Sequence, residues 1–92
     1  MKYQYKVSET FWHQFYALPD SQKESVRKCW KIFKIDPFDP RLGTHKIHSL
    51  SARAKTTVRA VVVEPNLRAL FYIDGDTVFT LGIDDHSIYR KH

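Results

Sequence analysis

Cysteine and glycine are scarce in this sequence of 92 residues, which contains one of the former and three of the latter. The single cysteine, Cys29, excludes an internal disulfide, and its place in a helical pattern predicts a reduced, buried thiol. The glycines are isolated from one another, so there is no glycine-rich loop for binding phosphate. A metal site is not expected either, because cysteine pairs are absent and His45-x-x-His48 alone supplies too few ligands. We therefore predict a protein that uses no metal and no other cofactor.

Long hydrophobic runs are also missing. The opening segment, MKYQYKVSETF, lacks the apolar stretch of a signal peptide, and nothing reaches the length of a membrane-spanning helix. The hydrophobic content of 42% is nevertheless enough for a compact core. The sequence thus predicts a single domain spanning residues 1–92, cytoplasmic and without a membrane partner.

Acidic residues are sparse in the middle of the chain. Residues 21–55 carry nine Lys or Arg against three Asp or Glu, whereas residues 1–20 are balanced and residues 56–92 carry four basic against five acidic groups. A concentrated basic segment is typical of proteins that bind a phosphate-bearing partner. The alternative is a solvated helix face whose charge only serves solubility.

The first third of the sequence predicts a strand followed by two helices. Polar and apolar residues alternate in Lys2–Ser8, as in a half-buried strand, and Ser8 can cap a helix that ends at Pro19. A second helix begins at Asp20 or Ser21, where Ser21-x-x-Glu24 fits a capping box. Both helices have an apolar side, so they should form a hairpin that covers another layer.

The last third predicts a β-meander. Its strands are Thr56–Glu64, Leu67–Ile73 and Thr77–Ile83, separated by tight turns. The segment Asp36–Lys55 reads as a long loop with at most a short irregular strand near His45, and loops of this length are commonly functional. The predicted fold is α+β in the order β-α-α-β-β-β. A helical hairpin packs on one face of a mainly antiparallel four-stranded sheet, and the other face stays partly open.

Two arginines interrupt strands that are otherwise apolar: Arg59 in TVRAVVV and Arg68 in LRALFY. Because a mid-strand arginine costs apolar burial, each should face either solvent or an anion. One such arginine alone is commonly a plain outward-facing side chain. Two in adjacent strands of one hairpin could together clamp a phosphate and stabilise charge that develops during a reaction.

Titratable side chains suited to proton transfer occur at two further places. His45 lies in the long loop, while His86 and Tyr89 follow the last strand, and histidine exchanges protons near neutral pH. Surface histidines and an aromatic anchor for the C-terminal segment are the alternatives. The set suits RNA cleavage without a metal, in which a 2′-hydroxyl attacks its own 3′-phosphate while a base, an acid and cations assist.

Several motifs in order carry a resemblance to a known family. They are the helix ending W-x-x-F-K-x-D-P at Trp30–Pro37, H-K-I at His45–Ile47, the hairpin VRAVVV…LRALFYI, and the ending H-x-x-Y at His86–Tyr89. Together they resemble the RelE/ParE superfamily of small bacterial type II toxins, over nearly the whole chain. The resemblance implies a fold like that of small microbial ribonucleases. It also implies a cognate antitoxin as partner.

The RelE-like branch of this superfamily cuts mRNA in the A site of the 30S ribosomal subunit without a metal, and this is the function we expect. The ParE-like branch instead poisons DNA gyrase, which leaves a gyrase inhibitor without nuclease activity as an alternative. A non-toxic module that only binds its antitoxin is a further alternative.

The resemblance also implies roles for individual residues. The expected catalytic residues are Arg68, His86, Tyr89, His45 and Arg59. The expected RNA-binding residues are Lys46, His48, Arg53 and Lys55. Asp84 and Asp85 depart from the family pattern because they place two negative charges beside the expected phosphate site, although they could orient His86 and stabilise its protonated form.

Overall fold

Three α-helices and five strands make up residues 3–85, the part of the chain that this computed structural model describes. In chain order the elements are β1 (Gln4–Val7), α1 (Glu9–Tyr16), α2 (Asp20–Phe33), a 3₁₀ turn (Pro40–Leu42), β2 (His45–Lys46), α3 (His48–Ala54), β3 (Val58–Glu64), β4 (Leu67–Asp74) and β5 (Thr77–Asp85). None of the helices in this range has the length and hydrophobicity needed to span a bilayer. The predicted α+β class is confirmed.

The strands form one mixed sheet in the order β1-β5-β4-β3-β2. The meander β3-β4-β5 is antiparallel as predicted, β1 pairs in parallel with β5, and β2 adds an antiparallel edge beside β3. The described sheet therefore has five strands rather than the predicted four. The fifth is the short strand at His45–Lys46, in the segment that the sequence marks as a loop.

Both helices begin where the sequence predicts, but the expected cap forms only at α1. The Ser8 hydroxyl oxygen accepts a hydrogen bond from the Phe11 N–H at 3.0 Å, which caps α1 as expected. The expected capping box at Ser21 and Glu24 does not form. Instead α2 begins at Asp20 without a side-chain cap, and the Pro19 carbonyl accepts the N–H groups of Gln22 and Lys23 at 3.0 Å.

The two faces of the sheet have different coverings. The helix face is the side on which α1 and α2 pack, and its strand residues include Val61, Leu67, Phe71, Val78 and Ile83. The open face is the opposite side, formed by Val58, Ala60, Leu70, Tyr72, Phe79 and Leu81. Helix α3 covers one side of the open face through Leu50. The remainder of that face has no helix from residues 3–85 lying over it.

A buried serine holds α3 against the sheet. The Ser51 hydroxyl donates to the Ile47 carbonyl at 2.7 Å and accepts the Val58 backbone N–H at 2.8 Å. Helix α3 was not expected, because its seven residues make only two turns and the inward position at its centre is a serine. Its side chains define one wall of the open face, so this helix shapes the site described next.

Candidate nucleic-acid interface

Arg68 is a cation on the open face, near the start of β4 and beside the β3–β4 turn. It alternates with Leu70 and Tyr72 along β4, so its side chain emerges on the same side of the sheet. Its Nη1 donates to the carbonyl oxygens of Glu64 at 2.6 Å and Pro65 at 2.9 Å, which ties the guanidinium to the β3–β4 turn. Its Nε is buried and has no hydrogen-bond partner among the described residues. A buried N–H of a charged group without a partner is costly, and an anion would satisfy it.

Arg59 does not share a face with Arg68, so the expected two-arginine clamp is wrong. The Arg59 guanidinium lies 5.2 Å from the ring centre of Phe38, and Phe38 in turn contacts Phe71 on the helix face. The cause is a β-bulge between Val62 and Glu64. Glu64 pairs with Leu67, but beyond the bulge Val62 pairs with Arg68, which is a shift of one residue in β3. This shift turns the β3 side chains beyond the bulge to the other face, so Arg59 pairs with Phe71 and lies on the helix face.

The histidine and lysine of β2 lie on opposite faces because adjacent strand residues alternate between the two sides of a sheet. His45 lies opposite Ala60 in the register and therefore on the open face, whereas Lys46 lies opposite Arg59 on the other face. The His45 Nδ1 donates to the Gly43 carbonyl at 2.9 Å. Strand spacing puts the Cα atoms of His45 and Arg68 roughly 12 Å apart, so a substrate between β2 and β4 could reach both side chains.

Helix α3 supplies the basic side wall of the open face. Arg53 lines an open groove of about 370 Å³ together with Leu50, Ala54, Val58, Leu70 and Leu81. His48 begins the helix and is exposed, and Lys55 ends it in a left-handed conformation, also exposed. Of the predicted RNA-binding residues, Arg53 borders the groove directly, His48 and Lys55 lie at the two ends of the same helix, and Lys46 faces away.

An aromatic pair on the open face was not singled out by the sequence. Tyr72 of β4 and Phe79 of β5 are cross-strand neighbours whose rings stack with centres 4.9 Å apart and planes inclined by 14°. The Lys6 ammonium lies 5.8 Å from the centre of the Phe79 ring. The sequence did contain a signal for the position of Tyr72, because Arg68, Leu70 and Tyr72 are alternate residues of one strand. Each aromatic taken alone, however, is typical of a core residue.

Not every basic residue of the 21–55 segment contributes to a binding surface. Arg41 makes a two-point contact with Asp39, with its Nε 3.0 Å from one carboxylate oxygen and its Nη2 2.9 Å from the other. These hydrogen bonds lower the pKa of Asp39 to about 2, so the pair stays ionised and internally compensated near neutral pH. Among the described residues, the basic side chains on the open face are those of Arg68, Arg53 and Lys6.

The far end of β5 is anchored by helix α1. The Gln14 side-chain oxygen Oε1 accepts the Ile83 backbone N–H at 2.6 Å, near the end of β5. Gly82 makes room for this contact, since a Cβ there would lie 2.7 Å from Oε1. His86 and Tyr89, the leading proton-transfer candidates, lie outside the described residues. The anchor fixes the strand from which they continue.

We expect Gly82→Ala to destabilise the fold by about 1–3 kcal/mol, because the new methyl group displaces Gln14 and leaves the Ile83 N–H without its acceptor. Gln14→Ala should cost a similar amount by removing the same acceptor. The double variant should then cost little more than either single change, and urea unfolding of all three variants measures this coupling. Fully additive losses would show that the two residues act independently.

No protein-family model matches the sequence, and no curated protein matches it either. Solved structures do match. RelE in the archaeal RelE–RelB complex from Pyrococcus horikoshii is 12% identical, with a TM-score of 0.71 over 92% of this chain and 96% of that one. YafQ from Escherichia coli is 12% identical, with a TM-score of 0.70 over 95% and 97% of the two chains.

A chain of the toxin–antitoxin complex RelBE2 from Mycobacterium tuberculosis is 18% identical, with a TM-score of 0.68 over 94% of this chain and 100% of that one. At these identities the likeness concerns the backbone rather than particular side chains. The protein thus has the fold of RelE-type toxins across nearly its whole length.

Proposed function

We propose that this protein is the toxin of a type II toxin–antitoxin system and that it acts as a metal-independent endoribonuclease on mRNA, with the ribosomal A site as the place of cleavage. The fold supports the toxin assignment, since its neighbours are RelE-type toxins and some were solved with an antitoxin. The observation that carries the nuclease assignment is Arg68. Its Nε, which has no hydrogen-bond partner among the described residues, belongs to a side chain on the face that also carries His45 and Arg53.

The proposed reaction needs a general base, a general acid and a group that stabilises the charge on the phosphate. A base removes the proton of the RNA 2′-hydroxyl, whose oxygen attacks the adjacent phosphorus. An acid gives a proton to the departing 5′-oxygen, which leaves a 2′,3′-cyclic phosphate and a 5′-hydroxyl. Arg68 holds the phosphate and stabilises the negative charge that grows on its oxygens. His86 is the proposed acid or base, with Tyr89 assisting, and His45 is the candidate for the complementary proton transfer.

An antitoxin is the proposed protein partner. The open face combines cations with half-buried apolar side chains such as Tyr72, Phe79 and Leu81, so an acidic or apolar segment that binds there would cover the site. Such a partner would silence the toxin by occupying the surface that RNA needs. A cytoplasmic location follows from the proposed ribosomal target.

A coupled transcription–translation reaction tests the function. The protein is added to translating ribosomes, and primer extension maps new 5′ ends on the mRNA. We expect discrete cleavage products, with less product when Arg68→Ala replaces the wild type. Intact mRNA together with double-strand breaks in plasmid DNA incubated with gyrase would instead establish a gyrase poison. Intact mRNA and intact DNA would leave a non-toxic antitoxin-binding module.

A further inference from the structure

We infer that the Tyr72–Phe79 pair is a stacking site for one base of single-stranded RNA, with Lys6 contacting the phosphate of the same nucleotide. This inference rests on the proposed function, and it adds a second contact to the phosphate site at Arg68. Its support is the geometry of three residues on β1, β5 and β4, which are neighbouring strands of the sheet.

The pair is placed for contact with a ligand rather than for core packing. Both rings are half-buried, and neither belongs to a buried hydrophobic cluster of the described residues. A groove of about 380 Å³ runs beside Phe79, between the ring and the β1 residues Lys6, Val7 and Ser8. Aromatic rings beside a cation in an open groove are the usual means by which proteins hold unstacked bases.

The distance between the aromatic pair and Arg68 suits an extended single-stranded RNA. Tyr72 is four residues from Arg68 along β4, which corresponds to roughly 13 Å at the rise of an extended strand. Leu70 and Leu81 form an apolar floor between the two places. The RNA backbone would then run along the open face from the phosphate at Arg68 to the base on the aromatic pair.

Stacking of this kind is tolerant of sequence, because every base has a π-face. The aromatic pair would therefore contribute affinity and hold the strand in position, without selecting a particular base. Selection among sequences would come from the groups around the cleaved phosphate. The pair is thus a positioning site for RNA and not part of the proton-transfer machinery.

Binding to a short 2′-O-methyl RNA tests the site, because this RNA cannot be cleaved through its 2′-oxygens. The RNA carries a fluorescent label, and anisotropy gives its Kd at a fixed salt concentration. We expect Phe79→Leu to raise the Kd by about 5- to 150-fold, the range that corresponds to the loss of one stacking contact. Lys6→Gln should weaken binding and reduce the dependence of log Kd on log salt by about one unit of slope.

Phe38→Leu is the matched control. Phe38 is also an exposed aromatic with a cation over its ring, but that cation is Arg59 and the pair lies away from the open face. Its Kd should stay within about twofold of the wild-type value. Thermal unfolding of each variant confirms that it is folded, and Lys6→Gln, an exposed substitution, keeps the test valid if Phe79→Leu does not fold.

The outcomes separate this inference from the proposed function. If the wild type cleaves mRNA on ribosomes but Phe79→Leu and Lys6→Gln bind RNA as tightly as it does, the stacking site is wrong and the nuclease proposal stands. An equal loss in Phe38→Leu also overturns the stacking site. If the wild type neither binds RNA nor cleaves mRNA, the proposed function fails and the stacking site fails with it.

Discussion

Arg68→Ala is expected to reduce mRNA cleavage by about 10²- to 10³-fold, the usual cost of removing one donor that stabilises a developing negative charge. The reason is the position of its guanidinium on the open face, where the buried Nε has no partner among the described residues. Primer extension on translated mRNA at matched protein concentrations measures the effect. Growth arrest on expression should be relieved in parallel.

Arg59→Ala is the matched control for this prediction. Arg59 is also a mid-strand arginine of the same hairpin, but it lies against Phe38 and away from the open face. Cleavage by this variant should remain near the wild-type level. Because Arg68 also ties the β3–β4 turn, Arg68→Lys and a melting curve distinguish lost catalysis from lost folding. Equal losses for Arg59 and Arg68 in folded protein would contradict the assignment of the open face.

Leu42→Ala is expected to lower the free energy of unfolding by about 2–5 kcal/mol, the range for a large-to-small change in a well-packed core. Leu42 is completely buried within the cluster that includes Phe33, Phe71 and Val78, although it belongs to a short 3₁₀ turn in a segment that reads as a loop. Its side chain therefore fixes the connection that leads to His45. Urea unfolding followed by tryptophan fluorescence gives the change.

The control for Leu42 lies a few residues earlier in the same connection. Ile35 has an exposed fraction of 82%, so Ile35→Ala should change stability by less than about 0.5 kcal/mol. A similar loss for both variants would mean that the segment contributes through its backbone rather than through the buried leucine. A negligible loss for Leu42→Ala would contradict the role of this segment in the core.

Local signals were sufficient for most of the fold. The cap at Ser8 and the turn at Gly75 depend on a few adjacent residues, and both are as expected. Helix α3 was missed because its stability comes from tertiary contacts, above all the buried Ser51 hydroxyl, which no periodicity reveals. The parallel pairing of β1 with β5 depends on the assembled layers and has no local signature.

The site was predictable in its residue types and not in their arrangement. Arg68 and His45 were identified from chemistry, and the structure places both on one face. Whether Arg59 joins them depends on a single extra residue in β3. Without the bulge, the register set by the pair Glu64–Leu67 would put both arginines on the same face of the sheet. The number of residues in the bulge, rather than the residue types, therefore decides whether the arginines lie together. The roles of His86 and Tyr89 stay predictions.

The parallel pairing of β1 with β5 has a consequence for synthesis of the protein. Gln4–Val7 precedes every other described strand in the chain, yet its only partner strand among the described residues begins at Thr77. The segment can therefore pair only after the strands and helices between them have been synthesised. Contacts this distant in sequence form slowly, after the local hairpins. The nascent chain therefore completes its sheet only when β5 has left the ribosomal exit tunnel. The proposed toxin would therefore reach its complete fold only after β5 is free to pair with β1.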